Sequence, residues 1–191
     1  MKHLTEDPVE SLTPHLSRRA LLSALVALTA TPTLSSEVLA SPHVALKHDH
    51  DSAVDPLPRR MHTAVALHNG LILVTGGVYG GTLADTQLFH PASGRWYPAA
   101  PMNTPRAQHA AVALGGGRVL VLGGFYQGAL ADAEIYSHAT DSWTPATPME
   151  IPRYDHTAVL LGDGSVLIYG GAYQDVLDSP ELYTLSHNDR D

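Results

Sequence analysis

Three histidines and three arginines recur in this chain at a spacing of 47 residues, and they are the side chains with the widest scope for chemistry. The six residues are His62, His109, His156, Arg59, Arg106 and Arg153. Imidazole can bind a metal or transfer a proton, and guanidinium forms planar bidentate contacts with carboxylates and other oxyanions. Because catalytic residues rarely occur once in every copy of a repeat, we predict structural roles for both sets. The histidines would start inner strands, and the arginines would pair with acids or carbonyls between neighbouring sheets, for example with Glu134 or Glu181; the alternative for the arginines is oxyanion binding.

A separate cluster of metal-ligating types is His48-Asp49-His50-Asp51. Imidazole and carboxylate together could hold a divalent metal. The cluster lies in a segment without any strand pattern, where a flexible set of ligands binds weakly, so we predict a solvated stretch. The chain contains no cysteine, which excludes thiol nucleophiles and thiolate metal ligands. It also lacks Gly-x-Ser-x-Gly, His-Glu-x-x-His and Walker-loop motifs. We therefore predict no catalytic residue, no metal site and no cofactor.

The positions that differ between the repeats are better candidates for a binding surface. In a meander, the loop before the first strand and the loop between the second and third strands emerge on the same face, and binding residues concentrate on such loops. The candidate residues in the first group of loops are Arg60, Gln108, Tyr154 and Asp155, and those in the second group are Tyr79, Tyr126, Gln127, Tyr173 and Gln174. Their aromatic faces and hydrogen-bonding groups suit a glycan or a peptide. The alternative is neutral variation around tyrosines that only pack.

Each copy of the repeat predicts four short antiparallel strands, and thus an all-β protein. Asn69-Gly70 and Asp163-Gly164 between apolar runs are strong hairpin signals. The predicted strands are 63–67, 71–75, 87–89 and 96–102 in the first copy, 110–114, 119–122, 134–136 and 143–149 in the second, and 157–161, 166–169 and 181–183 in the third. The second strand of each copy is a continuous aliphatic run, which indicates burial on both faces.

Glycine pairs and tryptophans mark fixed places in the repeat. Gly76-Gly77, Gly123-Gly124 and Gly170-Gly171 each follow a second strand, where a positive φ or a close backbone approach favours glycine. Trp96 and Trp143 each follow the aromatic residue of the third strand by seven residues. We predict that these indoles pack between adjacent sheets. A period of this length with this content is typical of a propeller or a solenoid array.

This combination of Pro-Arg, His, Gly-Gly, an aromatic residue and Trp resembles the kelch repeat over residues 58–185. The segment Asp163-Gly164-Ser165-Val166-Leu167 is most similar to bacterial repeats related to the central domain of galactose oxidase. The resemblance implies a kelch-type β-propeller with blades at 58–104, 105–151 and 152–191, and a binding surface on the loop face described above. Galactose oxidase builds its radical cofactor from a Tyr crosslinked to a Cys, and this chain has no Cys to carry that chemistry.

Two departures from the kelch pattern predict an incomplete propeller. The third copy has Arg190 at the Trp offset, so its blade is predicted to be incomplete. Three blades are also fewer than the roughly four to eight of a closed propeller. We therefore expect a fragment, an open partial propeller, or a ring that a second chain completes. Because two copies would supply six blades, the prediction is a homodimer, or else a chain that aggregates because it is a fragment of a longer gene product.

The first 40 residues have the layout of a signal peptide. Ser17-Arg18-Arg19 precedes an apolar run that is too short for a membrane span, and Val38-Leu39-Ala40 supplies small residues before Ser41. The paired arginines resemble a bacterial twin-arginine signal, and an ordinary Sec signal is the alternative. No Cys follows the run, which excludes lipoprotein anchoring. We expect a periplasmic or extracellular bacterial protein, with residues 41–57 as a linker.

The charge of the mature chain narrows the range of partners. Residues 41–191 keep 8 basic and 15 acidic side chains, which argues against nucleic acid and against anionic membrane surfaces. The sequence thus predicts an exported kelch-repeat binding module that contacts a protein or a glycan. The alternative is an exported carbohydrate-acting enzyme, such as a kelch-type sugar isomerase or an oxidase-like remnant.

Export is expected to remove residues 1–40, so N-terminal sequencing of the exported protein should begin near Ser41. Replacing Arg18-Arg19 by Lys-Lys should block export through the twin-arginine system, whereas unimpaired export would assign the Sec route. Recovery of Met1 in protein from outside the cytoplasm would contradict the cleavage.

Overall fold

The structure is a computed structural model that describes residues 53–186 and residue 189. The predicted signal peptide, the His48–Asp51 cluster and Arg190 lie outside the described residues. Within the described part of the chain, three antiparallel sheets contain all of the strands. No helix there is long and apolar enough to cross a membrane. The all-β prediction is confirmed.

Each sheet is one blade of a partial propeller, with consecutive strands hydrogen-bonded to one another. Blade one consists of β1 (Thr63–Ala66), β2 (Ile72–Thr75), β3 (Thr86–His90) and β4 (Arg95–Ala99). Blade two consists of β5 (Ala110–Gly115), β6 (Arg118–Leu122), β7 (Ala133–Ser137) and β8 (Ser142–Ala146). Blade three consists of β9 (Tyr154–Leu160), β10 (Val166–Ala172) and β11 (Glu181–Tyr183), so it has three strands among the described residues, as predicted.

The outer strands end three residues earlier than the sequence pattern predicts, at Ala99 and Ala146. After Ala99 the chain leaves its own sheet and crosses to blade two. The indole Nε1 of Trp143 donates to the carbonyl of Ala100 at 2.8 Å, and Met102 is buried in the core between the blades. Burial of Met102 therefore competes with continued pairing of the outer strand.

The described end of the predicted linker runs along blade one. The amide of Val54 donates to the carbonyl of Trp96 at 2.9 Å, on the outer strand. The amide of Leu57 donates to Oε1 of Gln87 at 3.1 Å. These contacts place residues 53–57 against the first sheet rather than free in solvent.

Two apolar cores hold the blades together, one at each joint, and β6 contributes to both. All four residues of β6 from Val119 to Leu122 have no exposed surface. Val119 and Val121 pack in the core with blade one, whereas Leu120 and Leu122 pack in the core with blade three. This strand is buried on both faces, as its unbroken aliphatic run predicts. Trp143 belongs to the core with blade one, which confirms its predicted position between adjacent sheets.

The glycine pairs of blades one and two each allow two different close approaches. A Cβ on Gly123 would lie 2.5 Å from the carbonyl oxygen of Arg153 and 2.6 Å from Cε of Met149, both in the chain that enters the next blade. A Cβ on Gly124 would lie 2.7 Å from the carbonyl oxygen of Ala107, which enters the same blade. Both residues also have positive φ, of 57° and 101°. Sterics and backbone angle therefore both require glycine here.

A buried arginine fastens each connecting segment to its own blade. The Arg106 guanidinium donates to the carbonyls of Gly123 at 2.8 Å and Asp132 at 3.0 Å, and to Oε1 of Glu134 at 2.7 Å. Oε2 of Glu134 in turn accepts from the amide of Asn103 at 2.7 Å. The predicted pairing of arginine with Glu134 is confirmed, but the partners lie within one repeat rather than between sheets. The reason is that Arg106 lies in the segment that enters blade two, and Glu134 lies on β7 of the same blade.

The same contact recurs in the other two blades with different acids. Arg153 pairs with Glu181 at 3.0 Å. Blade one has Gln87 at the position of Glu134, and there the Arg59 guanidinium pairs with Asp85 and also donates to Oε1 of Gln87 at 3.0 Å. A buried ion pair that loses one partner leaves an uncompensated charge, which costs about 3–5 kcal/mol. The arginine set therefore has a structural role in every blade.

The histidine set crosses the joints between blades. Nε2 of His109, from blade two, lies 2.8 Å from Oγ1 of Thr63 and 3.0 Å from Oγ1 of Thr75, both in blade one. Burial, reinforced by the nearby Arg106 charge, lowers the pKa of His109 to about 3. The imidazole is therefore neutral near pH 7 and serves as a packing and hydrogen-bonding group, as the repeat pattern predicts.

His156 occupies the same place at the joint between blades two and three, but its surroundings differ. Ala110 and Leu122 stand at the repeat positions of the two threonines. Neither ring nitrogen of His156 has a hydrogen-bond partner among the described residues. Burial, followed by the charge of Arg153, lowers the pKa of His156 to about 4. An unpaired buried imidazole destabilises the fold, since its polar atoms lose their hydration.

Gly123→Val is expected to lower the free energy of unfolding by roughly 2–4 kcal/mol, because it combines backbone strain with a clash at the joint. Gly116→Val is the matched control, since Gly116 has a similar positive φ of 61° but no atom within 4 Å of a Cβ, and it lies in an exposed turn away from both joints. Denaturant unfolding of both variants measures the difference. Equal losses would show that the joint does not require the glycine, and no loss in either would show a flexible loop.

His156→Leu is expected to raise the free energy of unfolding at pH 7 by roughly 1 kcal/mol, whereas His109→Leu should lower it by about 1–2 kcal/mol through its lost hydrogen bonds. In the unfolded chain His156 has the ordinary histidine pKa of 6.5, above its folded pKa of about 4. The native chain is therefore expected to lose stability as the pH falls from 6.5 towards 4, and His156→Leu should weaken this loss. Unfolding titrations at several pH values test both points, and an unchanged pH slope would contradict the second.

Candidate functional site

The loops before the first strands and the loops between the second and third strands meet on one face of the blades. We call this surface the loop face: residues 58–62, 76–85, 105–109, 123–132, 152–155 and 173–180. Backbone amides and carbonyls pair Arg60 with Val78 at 3.3 and 2.8 Å, and Ala107 with Phe125 at 3.2 and 2.8 Å. The strand-reversal argument from the sequence thus places both sets of loops correctly.

A line of three residues with left-handed backbones joins the blades on the loop face. We call Met61, Gln108 and Asp155 the ladder, and their φ angles are 57°, 53° and 57°. The amide of Gln108 donates to the carbonyl of Met61 at 2.9 Å, and the amide of Asp155 donates to the carbonyl of Gln108 at 2.8 Å. Each ladder residue immediately precedes a repeat histidine. The left-handed backbone therefore directs the ladder side chain towards the loop face and the histidine that follows it away from that face.

The backbone of the ladder is uniform, but its side chains are not. A left-handed conformation costs a residue other than glycine about 1–3 kcal/mol, and glycine would avoid most of that cost. The three blades instead present a thioether, an amide and a carboxylate. Met61 and Asp155 are exposed and Gln108 is half-buried. Strain of this kind concentrates at functional sites.

Tyrosines occupy one repeat position in the second group of loops. Each starts a tight turn: the amide of Tyr79 donates to the carbonyl of Gly81 at 3.0 Å, that of Tyr126 to Gly128 at 2.9 Å, and that of Tyr173 to Asp175 at 3.1 Å. Tyr79 and Tyr173 are exposed, and Tyr126 is half-buried. The turn residues that follow, Gln127 and Gln174, are exposed as well. These turns hold aromatic and amide groups outward into solvent.

Tyr154 behaves differently from the other candidate residues. Its ring packs edge-on against Phe125 of blade two, with centroids 5.3 Å apart and planes at 80°. The contact joins the loops of two neighbouring blades, so part of this residue's role is packing. Phe125 itself is exposed, and together with Met61 it extends the loop face beyond the residues predicted from sequence. Its variable repeat position, shared with Val78 and Ala172, was the signal that could have identified it.

An open cavity lies at the blade-one end of the loop face. Its volume is about 310 Å³, and its lining is Pro58, Arg59, Arg60, Val78, Tyr79 and Gly80. Arg60 and Tyr79, both candidate residues, thus share one concave surface. The candidates of blade three, Asp155, Tyr173 and Gln174, lie two blades away. The site is an arc along the loops rather than one point.

The chemistry of the described residues is that of a contact surface. Among residues 53–186 and 189, no group of three or more His, Asp or Glu side chains could hold a metal ion. Of the three ladder side chains, only Asp155 is an acid. Arg60 and Asp155 place opposite charges at the two ends of the arc. Stacking, hydrogen bonding and charge pairing are the interactions that this arrangement offers.

Comparison with known proteins identifies the type of repeat in blades one and two. A model of the kelch motif matches residues 59–103 and 105–150. No curated protein matches the chain. The two matched segments contain β1–β4 and β5–β8, so each match covers one four-stranded blade. Blades one and two are therefore kelch repeats, and blade three repeats their arginine, histidine and glycine pair at the same positions.

Proposed function

We propose that this protein is an exported binding module whose loop face contacts a protein or a glycan. Kelch repeats commonly mediate protein binding, so a protein is the first partner to test. The ladder is the observation that carries the proposal. Met61, Gln108 and Asp155 keep strained backbones in three successive blades while their side chains differ. Binding residues concentrate on loops that a rigid scaffold holds in place, and backbone strain concentrates at functional sites. A strained backbone that is the same in each blade, with side chains that differ, fits a binding surface of this kind.

The composition of the loop face supports a macromolecular ligand. Tyr79 and Tyr173 expose aromatic rings at its two ends, and Tyr is enriched in the residues that dominate binding energy. Gln127 and Gln174 add amide donors and acceptors beside them. The exposed surface stretches over three blades, whereas the cavity at Arg60 is confined to one. A ligand that contacts both ends must therefore be larger than a single sugar.

The predicted signal peptide supports a proposed site of action outside the cytoplasm, in the periplasm or beyond the cell. We propose that the mature protein acts there as a homodimer. The sugar-acting enzyme remains the second prediction from the sequence. An enzyme would need acids and bases that converge near the ladder, and steady turnover of a sugar by the purified protein would favour it.

The double variant Tyr79→Ser, Tyr173→Ser is expected to weaken ligand binding at least about tenfold, since each exposed Tyr contributes roughly 1 kcal/mol or more at such an interface. The control is Ala92→Ser, Thr140→Ala, which changes two exposed residues in the turns of the opposite face. The unaltered protein, the tyrosine variant and the control variant are each used for affinity capture from extracytoplasmic extracts. The affinity of each for the captured component is then measured by titration. Protease or glycosidase treatment of that component separates a protein ligand from a glycan. Equal capture by both variants would overturn the proposal.

A further inference from the structure

The last described blade exposes a row of large apolar side chains. We call this surface the trailing face of blade three. It comprises Val159, Leu167, Tyr169 and Leu182, which are 56%, 37%, 54% and 60% exposed. Leu167 pairs with Val159 on one side and with Leu182 on the other, so three apolar residues form a continuous row across the sheet. A row of this kind on a soluble protein marks an interaction surface.

The same face is covered in the other two blades. The residues one repeat earlier are Val112, Leu120, Leu122 and Ile135, and all four are buried in the core against blade three. Two repeats earlier, Leu73 and Leu88 are buried in the core against blade two, and Val65 packs on it. The trailing face is thus the third member of a series whose first two members each receive the next blade.

The covering blade contributes specific polar groups as well as apolar ones. At both joints, the amide of the second glycine donates to an arginine carbonyl of the next blade: Gly77 to Arg106 and Gly124 to Arg153, each at 2.9 Å. At the first joint, His109 also reaches Thr63 and Thr75. A partner for the trailing face must therefore bring a backbone carbonyl and a histidine at the same register.

Blade three has the groups that would receive them. Thr157, exposed on β9, stands at the repeat position of Thr63. Tyr169 stands at the position of Thr75, and its exposed ring adds apolar surface there. No atom lies within 4 Å of a Cβ built on Gly170, whereas the equivalent Gly76 is crowded by Arg106 and His109. The receiving surface is complete and open.

Blade one of this chain has the groups that would fill it. Arg59 and His62 stand at the positions of Arg106 and His109, and His62 is exposed. Ile72, Phe89 and Trp96 stand at the positions of Val119, Tyr136 and Trp143, which fill the joint between blades one and two. All three keep part of their surface exposed. The leading face of blade one is therefore the counterpart of the trailing face of blade three.

Charge complementarity on the loop face supports the same pairing. At the joint between blades two and three, Phe125 packs against Tyr154. At a joint between blade three and blade one, those repeat positions would bring together Ala172 and Arg60. The small Ala172 leaves room for the exposed Arg60 side chain, and the exposed Asp175 lies in the same loop. An attraction between Arg60 and Asp175 would replace the aromatic contact.

We propose that a second copy of this chain docks the leading face of its blade one on the trailing face of blade three. Reciprocal docking closes a ring of six blades, within the roughly four to eight that propellers use. His62 of the partner copy would bind Oγ1 of Thr157 as His109 binds Oγ1 of Thr63, and the ring of Tyr169 would pack in the joint. The interface rests on apolar packing, on register and on the attraction between Arg60 and Asp175, and its test needs no ligand of the loop face.

Sedimentation of the purified protein, without truncation, across a concentration series tests the proposal. The expected species is a dimer. Leu167→Asp should raise its dissociation constant about 100-fold or more, because it buries a charge in the joint. Ala139→Asp is the control: Ala139 is exposed in the turn between β7 and β8 of blade two, away from both the trailing face and the leading face. Circular dichroism confirms that both variants fold. A monomer at all concentrations, or equal weakening by both variants, would overturn the proposal.

Disulfide trapping then identifies which faces meet, since the chain has no cysteine of its own. Neighbouring ladder residues touch through backbone bonds of 2.9 and 2.8 Å, so head-to-tail docking brings position 61 of one copy beside position 155 of the other. A mixture of the single variants Met61→Cys and Asp155→Cys should form a covalent dimer under oxidising conditions, while neither alone should. A dimer that resists this crosslink uses another interface, and open filaments would show that the ring does not close; both results count against the proposal.

Discussion

The contact between one blade and the next is the constraint on which this structure depends. A single four-stranded sheet of this size has two apolar faces and cannot bury either one alone. Burial of β6 on both faces is possible only because the chain entering each blade comes within van der Waals distance of the glycine pair before it. Gly123 and Gly124 permit that approach, and the Arg153 carbonyl completes it by accepting from Gly124. A side chain on Gly123 would push blade three away from blade two and open the core between them.

The buried arginines fix the position of the loops relative to the packed blades. Arg106 and Glu134 are both buried, and Glu134 also accepts hydrogen bonds from the connecting segment at Asn103 and Thr104. The segment that carries Gln108 and His109 is therefore anchored at one end by an ion pair and at the other by β5. A side chain on a loop held in this way has little freedom to lose on binding, which favours affinity. The ladder depends on the same anchors.

The two joints have the same backbone hydrogen bonds, but the side chains around their histidines differ. His109 finds two threonine hydroxyls, while His156 faces positions occupied by Ala110 and Leu122 and has no partner among the described residues. Nε2 of His109 gains two hydrogen bonds at the first joint, whereas Nε2 of His156 gains none at the second. The joints of one array therefore differ in stability although the same glycine-to-arginine backbone bond recurs at both. On blade three, Thr157 stands at the position of Thr63 and again offers a hydroxyl to a histidine.

The sequence by itself determined the repeat, the number of blades and the strand order, because a fixed spacing of glycines, aromatics and aliphatic runs leaves few ways to pair short strands. It also identified which loops share a face, since strands that alternate in direction place alternate turns together. Only the tertiary structure decided that Arg106 pairs within its repeat, that Tyr154 packs on Phe125, and that Met61, Gln108 and Asp155 form a strained line. These features join residues of different segments, and a local pattern contains no information on which of several equivalent acids, rings or carbonyls lies within reach.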